Sequence, residues 1–181
     1  MSFSGAFLPD RAILPDRALF PARALLLGDE GTLLSAVEGL EVADVPGGVE
    51  LLPGAKDLLS ALPAGSWAVV SSATRRVAEA RLREVGVDVP VLVAADDVAH
   101  GRPHPEPFSL GARRLGVDPA DCVVLEDAPA GLAAGHAAGM RTVALTTTHP
   151  AAALFADAVV PDLSAVSVQV RNGVLEVGTE G

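Results

Sequence analysis

Cysteine is nearly absent: Cys122 is the only one in 181 residues. No internal disulfide can form, and a reducing compartment is the simpler setting. No apolar run approaches the ~20 residues needed to span a bilayer. The N-terminus lacks the basic start and apolar core of a secretory signal. A soluble cytoplasmic protein with no membrane partner is the expectation. Positive charge is scarce, with 13 Lys and Arg against 23 Asp and Glu, a net charge of −10. That balance argues against nucleic acid or anionic membranes as partners. Several site signatures are missing as well. There is no G-x-x-x-x-G-K-[ST] phosphate loop, no G-x-G-x-x-G after a strand and no G-x-S-x-G elbow. No paired cysteines suggest zinc.

What the chain does have is enough apolar material for one domain, half of its residues being hydrophobic. Leu8–Ile13, Leu14–Leu19 and Phe20–Leu25 read LPDRAI, LPDRAL and FPARAL, a six-residue repeat whose regular prolines forbid a continuous helix. Residues 1–19 are expected to form an extended or disordered leader. Short apolar runs then alternate with helix-like segments. Strands are expected at Ala24–Leu27, Trp67–Val70, Val91–Ala94, Cys122–Leu125, Thr142–Leu145 and Ala158–Val160. Helices are expected at Ala55–Leu62, Arg75–Val85, Pro105–Leu115, Pro129–Ala138 and Ala151–Phe155. The alternation predicts an α/β fold, a doubly wound parallel sheet, over residues 20–163. Asn172-Gly173 between two valine-rich runs predicts a β-hairpin within residues 164–181.

Polar residues collect where these strands should end. Gly28-Asp29-Glu30-Gly31-Thr32 follows the first, Ser71-Ser72 the second, Asp96-Asp97 and Arg102 the third, and Glu126-Asp127 the fourth. In such sheets ligands bind beyond the carboxyl ends of the strands. Adjacent carboxylates there suit a hard cation such as Mg2+. Hydroxyl and basic donors beside a cation are what a phosphoryl group needs. The acidic pair could instead serve only as a helix cap. Asp96-Asp97 reads as a solvated loop or cap, and His136 as a surface or packing residue. Gly131, Gly135 and Gly139 leave one face of the Pro129–Ala138 helix bare enough to lie close to the sheet.

The segments LEDAPAGLAAGHAAGM, VVSSAT and DDVAHGRPHPEPF resemble the fourth, second and third motifs of the haloacid dehalogenase superfamily, in its sugar-phosphatase and phosphoglucomutase-like branch. The likeness runs from about Ala24 to Leu163. It implies a Rossmann-like core and Mg2+-dependent hydrolysis of a phosphorylated small molecule such as a sugar phosphate. Asp127 and Glu126 would be the metal ligands, Ser71 the hydroxyl that holds phosphate, and Arg102 would stand where the family has lysine. The first motif departs from the family's D-x-D-G-T. Aligned on Gly31-Thr32, the chain reads G-D-E-G-T, with Gly28 in the nucleophile's place and Glu30 in that of the acid/base. Asp29 could serve only after a one-residue shift, since successive side chains point oppositely. Loss of a covalent nucleophile costs on the order of 10⁶ in kcat in one protease, so reduced activity is expected. A catalytically inactive binding or interaction protein of the same family is the alternative. Ser35–Gly48 is too short for the branch's helical cap, which leaves an open site that a second copy of the chain could cover.

Overall fold

Continuous apolar runs are fully buried because helices cover both faces of the sheet they build. The computed structural model describes residues 17–36 and 48–180. In chain order the strands and helices are β1 (Arg17–Ala22), β2 (Ala24–Gly28), β3 (Leu34–Ala36), β4 (Val49–Leu51), α1 (Ala55–Ala61), β5 (Trp67–Val70), α2 (Arg75–Glu84), β6 (Leu92–Val93), α3 (Glu106–Leu115), β7 (Cys122–Glu126), α4 (Pro129–Ala137), β8 (Arg141–Leu145), β9 (Ala158–Val160), β10 (Val166–Arg171) and β11 (Val174–Glu180). The central sheet has the order β6-β5-β2-β7-β8-β9, and every neighbouring pair is parallel. The chain starts in the middle, winds outward on one side through β5 and β6, then returns to β7 and winds the other way. This is the doubly wound α/β architecture that the strand–helix alternation predicts. Its order reverses between β2 and β7, where such folds open a crevice at the carboxyl edge.

Alternation along each strand divides the core in two. Leu25, Leu27, Trp67, Val69, Val123 and Leu125 pack on one face with Leu58 of α1 and Leu82 of α2. Ala24, Leu26, Ala68, Val70, Cys122 and Val124 pack on the other with Phe108 of α3 and Ala134 of α4. A Cβ on Gly135 would meet Thr142 Cγ2 at 3.0 Å and Val124 Cγ2 at 3.2 Å, so the small-residue face of α4 does lie close on the strands.

The two ends of the chain differ from expectation in one respect. β10 and β11 form the hairpin, turning at Asn172 and Gly173 with φ of 51° and 77°, the left-handed pair this tight turn requires. β1 joins it as a third strand, antiparallel to β11 from Arg17↔Glu180 to Ala22↔Leu175. The strand runs across the expected boundary at residue 19, so Arg17–Leu19 belong to a sheet. Phe20, Ala22, Leu175 and Val177 are buried in the first core cluster, a reward that outweighs the proline. Pro21 is accommodated because β1 lies at an edge. The rest of the expected leader, residues 1–16, lies outside the described residues.

Smaller differences are the shortening of the expected Ala151–Phe155 helix to a single 3-10 turn over Ala151–Ala153 and of the third core strand to Leu92–Val93. β3 and β4 form an antiparallel pair that the sequence did not signal. Residues 37–47 between them, where the absence of a cap was expected, also lie outside the described residues.

Candidate active site

Parallel pairing brings the polar residues together. Gly28 is in register with Val70, and Leu27 with Leu125. One or two steps beyond these pairs the chain places Asp29, Ser71 and Asp127 side by side at the point where the strand order reverses. All three are buried, as are Glu126 and Thr32. Ser71 Oγ donates to Asp29 Oδ2 at 2.5 Å. Thr32 donates to Asp127 Oδ1 at 2.9 Å, and the Thr148 hydroxyl donates to Asp127 Oδ2. Gly31 makes the turn between Asp29 and Thr32 at φ 77°, and any Cβ there would strike the Asp127 carboxylate at 2.2 Å.

Glu126 is fully buried. Its Oε2 accepts from the N–H groups of Asp127 and Ala128, both at 3.1 Å, at the start of α4. Its Oε1 accepts from Arg102, whose Nε donates to Ser72 Oγ at 2.9 Å. Two glycines make room for this carboxylate. A Cβ on Gly28 would lie 2.8 Å from Glu126 Oε1, and one on Gly131 only 2.4 Å from it. Space beside the bare Gly28 is thus filled by Glu126. Arg102 is largely buried. Desolvation lowers its pKa from the ordinary arginine value, against the raising pull of the Asp29 and Asp127 charges.

Glu30 shares this edge but is set apart from the other carboxylates. Its side chain is 45% exposed and pairs with Arg81 of α2 at 3.0 Å. Arg81 also approaches Asp29 Oδ2 at 3.8 Å, and its own Nε is buried without a hydrogen-bond partner. Asp96 and Asp97 lie at the edge as caps. Asp96 accepts from Arg75 N at 2.8 Å, and Asp97 pairs with Arg75 and Arg114. His136 is a packing residue, hydrogen bonded to Thr142 at 2.7 Å.

The structure buries Asp29 beside Ser71 and leaves Glu30 exposed on Arg81, whereas the sequence reading had Glu30 converge with Ser71, Arg102, Glu126 and Asp127 and admitted Asp29 only after a one-residue shift. That reading missed Thr32, Thr148, Ser72 and Arg81. Thr32 and Thr148 were legible only as polar residues following strand ends. Arg81 lies ten residues down the chain from Ser71, and nothing local marks it. A cleft of 320 Å³ lined by Ser71, Ser72, Gly101, Arg102 and Pro107 opens beside the cluster. A larger groove of 560 Å³, lined by Arg75, Glu79, Leu82 and Pro90, holds none of these groups. Among the described residues, no helix is long and apolar enough to cross a membrane.

Known proteins share both the sequence and the fold. Hexitol phosphatase A of Escherichia coli is 43% identical over 119 residues, covering 64% of this chain and 53% of that protein. Glycerol-1-phosphate phosphohydrolase 2 of Saccharomyces cerevisiae is 42% identical over 118 residues, covering 61% of this chain and 46% of its own length. The chain thus spans about half the length of these relatives. Among solved structures, a variant of CbbY from Rhodobacter sphaeroides in complex with xylulose-(1,5)bisphosphate matches with a TM-score of 0.59 and 30% identity, covering 68% of this chain and 58% of that one. The family profile of haloacid dehalogenase-like hydrolases matches residues 11–139, well over half of the sequence, and by that match the chain belongs to this family.

Proposed function

We propose that the chain is a slow, Mg2+-dependent phosphohydrolase of small phosphorylated metabolites, with monoesters of sugars and polyols as its substrate class. The observation that carries this reading is the alignment of Asp29, Ser71 and Asp127 at the reversal of strand order, with Arg102 against them. The names of the two curated relatives, a hexitol phosphatase and a glycerol-1-phosphate phosphohydrolase, supply the substrate class. A cleft of 320 Å³ suits a ligand of that size.

The donors fit a hard cation. Asp29, Glu126 and Asp127 are three buried carboxylates facing two guanidinium groups, Arg102 and Arg81, so negative charge is in excess. Asp127 and Glu126 would hold Mg2+, which when bound neutralises phosphoryl oxygens. Ser71 Oγ and the Arg102 fork are the donors for those oxygens. Asp29 is the carboxylate best placed to attack phosphorus, forming an aspartyl phosphate as the ester oxygen leaves. Glu30 is the candidate to give that oxygen its proton, and later to take one from the hydrolytic water. Three features make turnover slow. Glycine stands at the end of β2, Ser71 is already engaged by Asp29, and Glu30 must release Arg81 to reach a leaving alcohol.

A second reading, a non-catalytic protein that binds a phosphorylated ligand, is favoured by Gly28 alone. Phosphate release from glycerol phosphates and hexitol phosphates, with and without Mg2+, separates the two. Slow Mg2+-dependent release that disappears in Asp127→Ala and Asp29→Asn is expected. Identical background rates in all three proteins would leave the binding reading.

A further inference from the structure

The loop that delivers Arg102 carries a second cluster that the hydrolytic site does not use. His100 and His104 each lie two residues from Arg102, and Glu106 opens α3. One ligand atom from each of the three lies within 4.8 Å of the others. The imidazole rings face each other with centroids 4.7 Å apart. His100 Nδ1 is hydrogen bonded to Glu106 Oε2 at 3.0 Å, and His104 Nδ1 is 4.0 Å from the same oxygen.

Glu106 is held in place before any ligand arrives. Its Oε1 accepts from Ala99 N and its Oε2 from His100 N, both at 3.0 Å. These contacts, the Ala99 N–H foremost, lower its pKa below the ordinary carboxyl value. The histidine side chains are 65% and 51% exposed, and His104 Nδ1 accepts from Glu106 N at 3.2 Å.

We propose that His100, His104 and Glu106 form a surface site for a divalent transition-metal ion of the Zn2+ class, separate from the buried carboxylate cluster. Two imidazoles and one carboxylate make a ligand set that Zn2+ accepts with further positions left to water. Mg2+ prefers oxygen ligands and does not compete for it. Ligand bonds of ~2.0–2.1 Å put neighbouring ligand atoms roughly 3.0–3.4 Å apart. The cluster must therefore tighten by somewhat over an ångström at its widest, a movement within reach of side-chain rotation. The bound ion takes the place of the hydrogen bond between His100 Nδ1 and Glu106 Oε2.

The test is calorimetric titration of the whole chain with Zn2+ in excess Mg2+, joined to electron paramagnetic resonance with Cu2+ as the probe ion. One Zn2+ per chain is expected. The affinity should fall by at least about tenfold in His100→Ala and in His104→Ala, because each removes one ligand. Cu2+ should show splitting from imidazole nitrogen that persists in His149→Ala, which controls for the histidine beside Thr148 at the carboxylate cluster. Circular dichroism checks that the exposed substitutions leave the fold intact. Equal Zn2+ affinity in the His100→Ala/His104→Ala double variant would overturn the proposal. So would a Cu2+ spectrum without nitrogen splitting, or splitting lost only with His149. Binding is read without turnover, so its failure is distinguishable from failure of the hydrolytic reading.

Discussion

Gly28 decides which carboxylate stands closest to the end of β2. Because it has no side chain, Glu126 Oε1 occupies the adjoining space and receives Arg102. A Cβ there would lie 2.8 Å from that oxygen and 2.9 Å from Thr32 Oγ1, so Gly28→Asp forces both to withdraw. Overpacking of this kind costs typically ~1–3 kcal/mol. The new carboxylate would nevertheless stand where the family has its nucleophile, with Ser71 and Arg102 in reach. Gly28→Asp is therefore expected to be less stable to urea yet faster than wild type in Mg2+-dependent phosphate release. Gly28→Val meets the same obstruction and supplies no carboxylate, so it should lose stability without gaining rate. A folded Gly28→Asp protein that binds Mg2+ and stays inert would count against the hydrolytic reading.

At the scale of elements, α4 shows packing overruling propensity. Alanine is favoured over glycine in a helix interior by roughly 0.8–1.0 kcal/mol. At Gly131 an added methyl would sit 2.2 Å from Glu126 Cδ, a carboxylate with no exposure and three donors fixing it. Gly131→Ala should thus destabilise by about 1–3 kcal/mol net, and chemical denaturation measures it. Asp97, paired with Arg75 of α2 and Arg114 of α3, carries a pH signature instead. Burial raises the Asp97 pKa, but hydrogen bonds from Arg114, the Ala94 N–H and Arg75 outweigh it and hold the group at about 2. A carboxyl lowered in the folded state contributes its stability fully above its ordinary value of 3.8 and loses it as pH falls toward about 2. Asp97→Asn should lower the urea midpoint at neutral pH, and the gap from wild type should shrink between about pH 4 and pH 2. A gap that stays constant through that window would assign the loss to packing.

Across the whole molecule, legibility followed locality. β2, β5 and β7 were readable because a strand buried on both faces is a continuous apolar run, and their polar ends then followed from parallel order. The pairing of β1 with β11 joins residues far apart in the chain, and no local pattern announces it. Roles within the site were harder still. Whether Glu126 or another group fills the space at Gly28 depends on packing across three elements. Cys122 offers a probe of the assembled core as a unit. It is buried at the start of β7, with its thiol directed to Asp118 O at 3.4 Å. Burial pushes its pKa up to about 12, and the charges of Asp121 and Asp118 add to the rise. Only the thiolate attacks a disulfide reagent, and at pH 8 about one thiol in 10⁴ would be ionised. Access requires β7 to leave the sheet, and a central strand opens only in the global transition. An aromatic disulfide reagent should therefore label native protein very slowly. The rate should rise with urea along the same curve as global unfolding, and the unfolded chain should react at once. Fast labelling without denaturant would mean that β7, and the acidic pair at its end, open independently of the rest of the fold.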